Sequence, residues 1–159
     1  MRNFFLLKYT VPLLFVFLFS HQKAELNDSA FSDFETFDQI RDTLFLRKKI
    51  DLAQKLYEQE NYAKSYRYLQ TALNSDDIYV KINANLIAGK ILDKTNDKRK
   101  AIRALHKCLM LISENNTFKE YGLNLEEIES ECLLYLGAIY SKIDNDSSLV
   151  YFNKLIRIN

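Results

Sequence analysis

The stretch Leu136-Gly137-Ala-Ile-Tyr140-Ser-Lys-Ile-Asp-Asn-Asp146-Ser-Ser148-Leu-Val-Tyr151-Phe152-Asn-Lys-Leu155-Ile156 decides the fold class. A small residue, Gly137, stands three positions before a large one, Tyr140. A polar turn of Asp144, Asn145 and Asp146 follows. A second small residue, Ser148, precedes Phe152 by four, and the apolar pair Leu155 and Ile156 lies three beyond. Intervals of three and four place such residues on one face of a helix, so the spacing predicts two antiparallel helices packed face to face. Gly and Ser at the crossing let the two axes approach toward the short end of the usual range of about 8–10 Å.

The arrangement occurs twice more upstream. In Leu52-Ala53…Leu56…Tyr62…Ser65…Leu69…Ala72-Leu73 and Gly89…Leu92…Ala101…Leu105…Cys108-Leu109, small and large residues alternate at the same intervals. Glu60-Asn61 and Asn96-Asp97 supply the turns, with Asn and Asp types that end one helix and cap the next. Ala72, Cys108 and Leu155 are equivalent positions, 36 and 47 residues apart. Before the third unit, residues 117–131 read as a helical extension broken at Gly122, and Leu125, Ile128 and Cys132 continue one stripe into Leu133 and Leu136.

Composition agrees. The 159 residues hold only three Gly and one Pro, too few for the corners of a β-sandwich or barrel. Hydrophobic residues make up 48% and charged residues 27%, globular values that argue against disorder. With 22 Lys and Arg against 21 Asp and Glu, the chain has no basic excess to suit direct nucleic-acid binding.

The three units resemble the tetratricopeptide repeat, a helix–turn–helix unit of about 34 residues with the pattern W-x2-L-G-x2-Y…A-x3-F…P. Leu136-Gly137…Tyr140, then Ser148…Phe152, carry the likeness most fully, and Tyr62 fills the aromatic turn position of the first unit. Lys49, Asn85 and Leu133 replace the leading Trp, no unit ends in Pro, and the third turn is one residue short. The fold expected is therefore all-α, an antiparallel helix-pair solenoid with repeats at about 42–75, 82–113 and 125–159. Phe31, Phe34, Phe37, Ile40 and Leu44 predict an amphipathic leading helix within a repeat domain of 31–159, after a linker over 21–30.

The first twenty residues carry a different message. Arg2 and Lys8 precede an apolar run of 11 residues, Tyr9–Phe19, followed by Ser20 and polar sequence. This is the pattern of an export signal, too short for the roughly 20 apolar residues of a membrane-spanning helix. Leu18 departs from the small residue preferred at the cleavage site, so an uncleaved membrane tether and a buried helix remain as alternatives. The expected location is extracytoplasmic, in a periplasm.

No catalytic motif emerges, and neither enzyme activity nor a cofactor is expected. Three isolated glycines cannot form a phosphate loop. His106 sits among Lys98, Arg99, Lys100, Arg103 and Lys107, a surface that reads as solvated. Glu126, Glu127, Glu129 and Glu131 spread over more than one helical face. Cys108 and Cys132 lack metal spacing, and two histidines are too few to complete a zinc site. Three readings stay open for them: small apolar residues buried between helices, a disulfide if the chain is exported, or reactive thiols.

The resemblance implies that the first helix of each unit lines a groove for a protein or peptide ligand. The groove positions are Arg47, Ile50, Gln54, Tyr57 and Glu58 in the first unit and Asn83, Leu86, Lys90, Asp93 and Lys94 in the second. The third unit adds Glu131, Leu134, Ala138 and Ser141. Ile50 and Leu86 stand where a chaperone-tail clamp needs Lys and a polar partner, which argues against that ligand. Tyr57 and Arg47 are the expected anchors, because aromatic and Arg side chains dominate binding energy. With the export signal, the resemblance extends to the sensory part of longer bacterial regulators. A freestanding periplasmic scaffold that self-associates is the alternative, since no polar capping helix follows Asn159 in this sequence.

Overall fold

The computed structural model describes residues 41–115 and 125–158. The expected signal, linker and the Phe31–Ile40 part of the leading helix lie outside them. The chain divides at Asp42, and Arg41 and Asp42 alone represent the first unit among the described residues. The fold below belongs to the second, Thr43–Asn159.

Six helices and no strands occur among the described residues. Helix α1 covers 41–58, α2 Tyr62–Ala72, α3 Ile78–Lys94, α4 Lys98–Glu114, α5 Leu125–Tyr140 and α6 Asn145–Ile158. Consecutive helices pack as neighbouring pairs, α3 with α4 and α5 with α6 most extensively, while α2 also meets α3 and α4 meets α5. The architecture is all-helical and repeat-like.

Turn chemistry explains where the helices stop. Glu60 and Asn96 have positive φ, 58° and 65°. Behind each, two amide groups reach back: Asn61 N donates to the Leu56 carbonyl (2.8 Å) and Glu60 N to Tyr57 (2.9 Å). Asp97 N donates to Leu92 (2.8 Å) and Asn96 N to Asp93 (3.1 Å). These are Schellman closures, which satisfy orphan carbonyls through one left-handed residue. The third turn is built differently: Asp144 N donates to the Tyr140 carbonyl at 2.7 Å. The Asp144 carboxylate then accepts from the backbone of Asp146 and Ser147, both 3.2 Å, capping α6. Asp77 caps α3 through Val80 N (3.0 Å) and Asp97 caps α4 through Lys100 N (3.3 Å). Asn61 makes no side-chain cap bond.

The small residues stand where the helices cross. A Cβ added to Gly89 would lie 2.6 Å from Leu105 Cγ, and one added to Gly137 would lie 2.6 Å from Phe152 Cε1. The second helix also donates across the crossing: Ser65 Oγ to the Ala53 carbonyl (2.6 Å) and Ser148 Oγ to the Gly137 carbonyl (2.9 Å). Ala101, buried at the equivalent place in α4, has no hydroxyl to do so.

Two apolar cores result. Ile50, Ala53, Leu69 and Ala72 join Val80, Ala84, Ile87, Ala88 and Ile91 in the first. Ile82 and Leu86 join Ala101, Leu105, Cys108, Leu111, Ile112, Cys132, Leu136 and Ile139 in the second. Helix α3 feeds both, which explains why its buried residues run without a gap from Ala84 to Ile91 rather than in a single stripe.

Candidate ligand-binding face

Lys90 of α3 is the pivot of the face built by the first helices. Its ammonium lies 2.5 Å from Glu131 Oε1 of α5, and its side chain is only 7% exposed. The same nitrogen sits 5.3 Å from the ring centroid of Tyr57 in α1 and 5.6 Å from that of Tyr135 in α5. The two phenolic oxygens are 3.2 Å apart. A desolvated cation between ring faces gains about 2 kcal/mol or more from the ring quadrupoles. Burial, then the hydrogen bond with Tyr135, hold the Tyr57 hydroxyl well above the ordinary phenol range, against the opposing pull of Lys90 and Lys94. The Tyr57 phenol therefore keeps its proton at neutral pH, and because one of the two hydroxyls donates to the other, the pair has one O–H left to offer.

Of the groove positions read from the sequence, the structure brings Tyr57, Lys90 and Glu131 together. Arg47 is exposed at one margin, 3.4 Å from Asp77 and 5.1 Å from the Tyr79 ring centroid. Gln54 is spent within its own helix on Glu58 (2.8 Å), and Asn83 donates to the Tyr79 carbonyl (2.9 Å). Asp93 pairs with Lys98 across the turn. Lys94, Leu134, Ala138 and Ser141 are exposed. Ile50 and Leu86 differ from the expectation: at 7% and 5% exposure they are core residues and offer no side chain to a ligand. Ile50 lies in the first core with residues of α2 and α3, and Leu86 in the second with residues of α4 and α5.

Tyr135 escaped the sequence reading. Its signal was present, since it lies four residues after Glu131 and so shares that residue's helical face.

Elsewhere, Asn96, Asp97, Lys98, Arg99, Lys100 and Arg103 line an open depression of about 460 Å³. Lys98 is committed to Asp93 and Lys100 to Asp97 (2.6 Å), so half of the depression's four cations are already paired. His106 Nε2 lies 3.0 Å from the Tyr151 hydroxyl, and Tyr151 stacks on Tyr140 at 5.2 Å. Burial, then Lys154, hold the His106 imidazole below its ordinary range. Cys108 and Cys132 are free thiols, both wholly buried in the second core.

Among the described residues, no three His, Cys, Asp or Glu side chains group to hold a metal ion. No helix among them is long and apolar enough to cross a membrane. No family model, curated protein or solved structure matches the chain.

Proposed function

We propose that the helix pairs are tetratricopeptide-like repeats forming a non-catalytic module that binds a protein or peptide along the first helices. One observation carries this reading: Tyr57, Lys90, Glu131 and Tyr135, from the first helices of three successive pairs, converge on one face. Such a cluster combines aromatic area with fixed donors, the chemistry that anchors polypeptide ligands. Arg47 and Lys94 flank it as exposed cations. The export pattern of residues 2–20 supports placing the module outside the cytoplasm, as the sensory part of a longer regulator.

The test is selection of peptides from a random display library on the folded protein, followed by affinity measurement on single variants. Tyr57→Phe and Lys94→Ala remove one hydroxyl and one exposed charge without opening a core. Ligands of this face should weaken several-fold with each and stay unchanged with Lys107→Ala on α4. Selected peptides indifferent to both changes would place binding elsewhere.

A second reading, self-association, is favoured by a comparison of equivalent positions. Ile50 is 7% exposed and Leu86 5%, yet Leu134 is 48% exposed, with Leu149 at 57% and Ile156 at 73% on the neighbouring helix. Leu149 and Ile156, seven positions apart, share one face of α6, and exposed apolar faces of this kind mark interaction surfaces. A dimer in sedimentation velocity that Leu134→Asp dissociates would support it, and a monomer at every concentration would reject it.

A further inference from the structure

Repetition within the chain places its two cysteines in a revealing pair of positions. Cys108 of α4 is equivalent to Ala72 of α2, the small residue three beyond Leu105 or Leu69. Cys132 of α5 lies five before Gly137, as Ala84 of α3 lies five before Gly89. The junction between the first and second helix pairs therefore contains Ala72 and Ala84, and the junction between the second and third contains Cys108 and Cys132. All four side chains are fully buried, each pair within a single core. Such positions hold small residues because the two helices approach closely there. The chain has no other cysteine.

The two thiols lie in the one core shared by the packed helices α4 and α5. A hydrogen bond with the Cys108 thiol and then burial hold the Cys132 thiol well above the ordinary thiol range. A thiol so placed is a poor nucleophile in the folded protein, and its sulfur is shielded from outside reagents. Adventitious oxidation of the native state is thereby disfavoured, whereas each thiol has the other as its immediate neighbour once the helices have met.

We propose that Cys108 and Cys132 are a cross-linking pair that closes to an intramolecular disulfide, clipping α4 to α5, when the chain folds under oxidising conditions. The chemistry is thiol–disulfide exchange with a small-molecule or protein disulfide. One cysteine thiolate attacks the oxidant's disulfide, forming a mixed disulfide and expelling one thiolate. The second cysteine, deprotonated in turn, attacks the protein sulfur of that mixed bond and expels the other. Two protein thiols are oxidised, one disulfide of the oxidant is reduced to two thiols, and the two protons pass to the expelled thiolates. Because exchange needs access, it takes place while α4 and α5 are docking, before the core closes over the sulfurs.

The experiment unfolds the full chain in denaturant with reductant, then refolds it by dilution into buffer containing reduced and oxidised glutathione. Intact mass, peptide mapping and far-UV circular dichroism are compared with a sample refolded with reductant alone. The expected product is two hydrogen masses lighter than the reduced chain, yields a Cys108–Cys132 linked peptide, titrates no free thiol, and keeps the helical spectrum of the reduced form. Its thermal midpoint should lie above that of the reduced chain and return to it on reduction. Cys108→Ala and Cys132→Ala, residues already present at the equivalent positions, should fold and abolish the difference between the two buffers. Glutathione adducts, interchain dimers, or two free thiols in oxidatively refolded helical protein would overturn the proposal. So would a disulfide that forms only with loss of helix.

Discussion

Replacing Gly89 by Ala tests the packing argument at its centre. On helix propensity alone the change stabilises, by about 1 kcal/mol, since Ala is the best helix former and Gly among the worst. The crossing opposes it. The new methyl would lie 2.6 Å from Leu105 Cγ and 2.7 Å from Cδ2, with the Ala101 carbonyl 3.5 Å away. Leu105 has no exposed surface into which to retreat. Overpacking a closed core costs about 1–3 kcal/mol, so the net expectation is a loss of about 0–2 kcal/mol. Urea unfolding followed by circular dichroism should show a lower midpoint at unchanged slope. Leu105→Ala alone should cost about 2–5 kcal/mol by leaving a cavity. Combined with Gly89→Ala it should cost less than the two singles together, by about 1–3 kcal/mol, because each change relieves the other. Gly137→Ala should be milder, since the opposing Phe152 is only half-buried and its ring has room to swing. A stabilised Gly89→Ala, or strictly additive costs with Leu105→Ala, would refute the close approach of α3 and α4.

Glu60 holds a left-handed conformation at φ 58°, so Glu60→Gly should raise stability by about 0.5–1 kcal/mol, read as a higher urea midpoint. Asn96→Gly, at φ 65°, should gain less because Asn tolerates that region. Glu131→Gln should strand the Lys90 ammonium between two tyrosines; with Glu131 35% exposed, about 1–2 kcal/mol is expected rather than the larger cost of a wholly buried pair. Unchanged stability in Glu131→Gln would show that the pair adds nothing. His106 is held below its ordinary value of 6.5 by burial and then by Lys154, so the fold prefers the neutral ring. Its contribution is complete above pH 6.5 and is lost as pH falls below that value toward the folded one, because the unfolded chain takes up the proton first. Unfolding midpoints measured from about pH 7 to 5 should fall less steeply in His106→Gln than in the unaltered chain.

Much of the fold was legible before any coordinates. Ala53, Gly89 and Gly137, each three before a large residue, announce helix crossings, because helical periodicity ties side chains three and four apart to one face whatever lies outside. Asn96-Asp97 and Asp144 announce helix ends for an equally local reason, the hydrogen bonds of a turn. The Glu60 closure was harder to see, since Glu is a poor candidate for positive φ and only the surrounding helices hold it there. At the candidate face the local rule ran out. Arg47 and Lys94 lie on the surface, but Ile50 and Leu86, also chosen as groove positions, belong to the cores.

Helix type and the turns that end each helix are thus properties of the sequence itself, for they depend on neighbours within a few residues. The pairing across each short turn follows from small residues whose partners lie only 11 to 16 positions away. Only the tertiary structure decided that Lys90 is enclosed by Tyr57, Glu131 and Tyr135, that α3 is covered on both sides, and that Cys108 finds Cys132. Those outcomes turn on which helix pair comes to rest against which, a matter of contacts between residues tens of positions apart that no local spacing records.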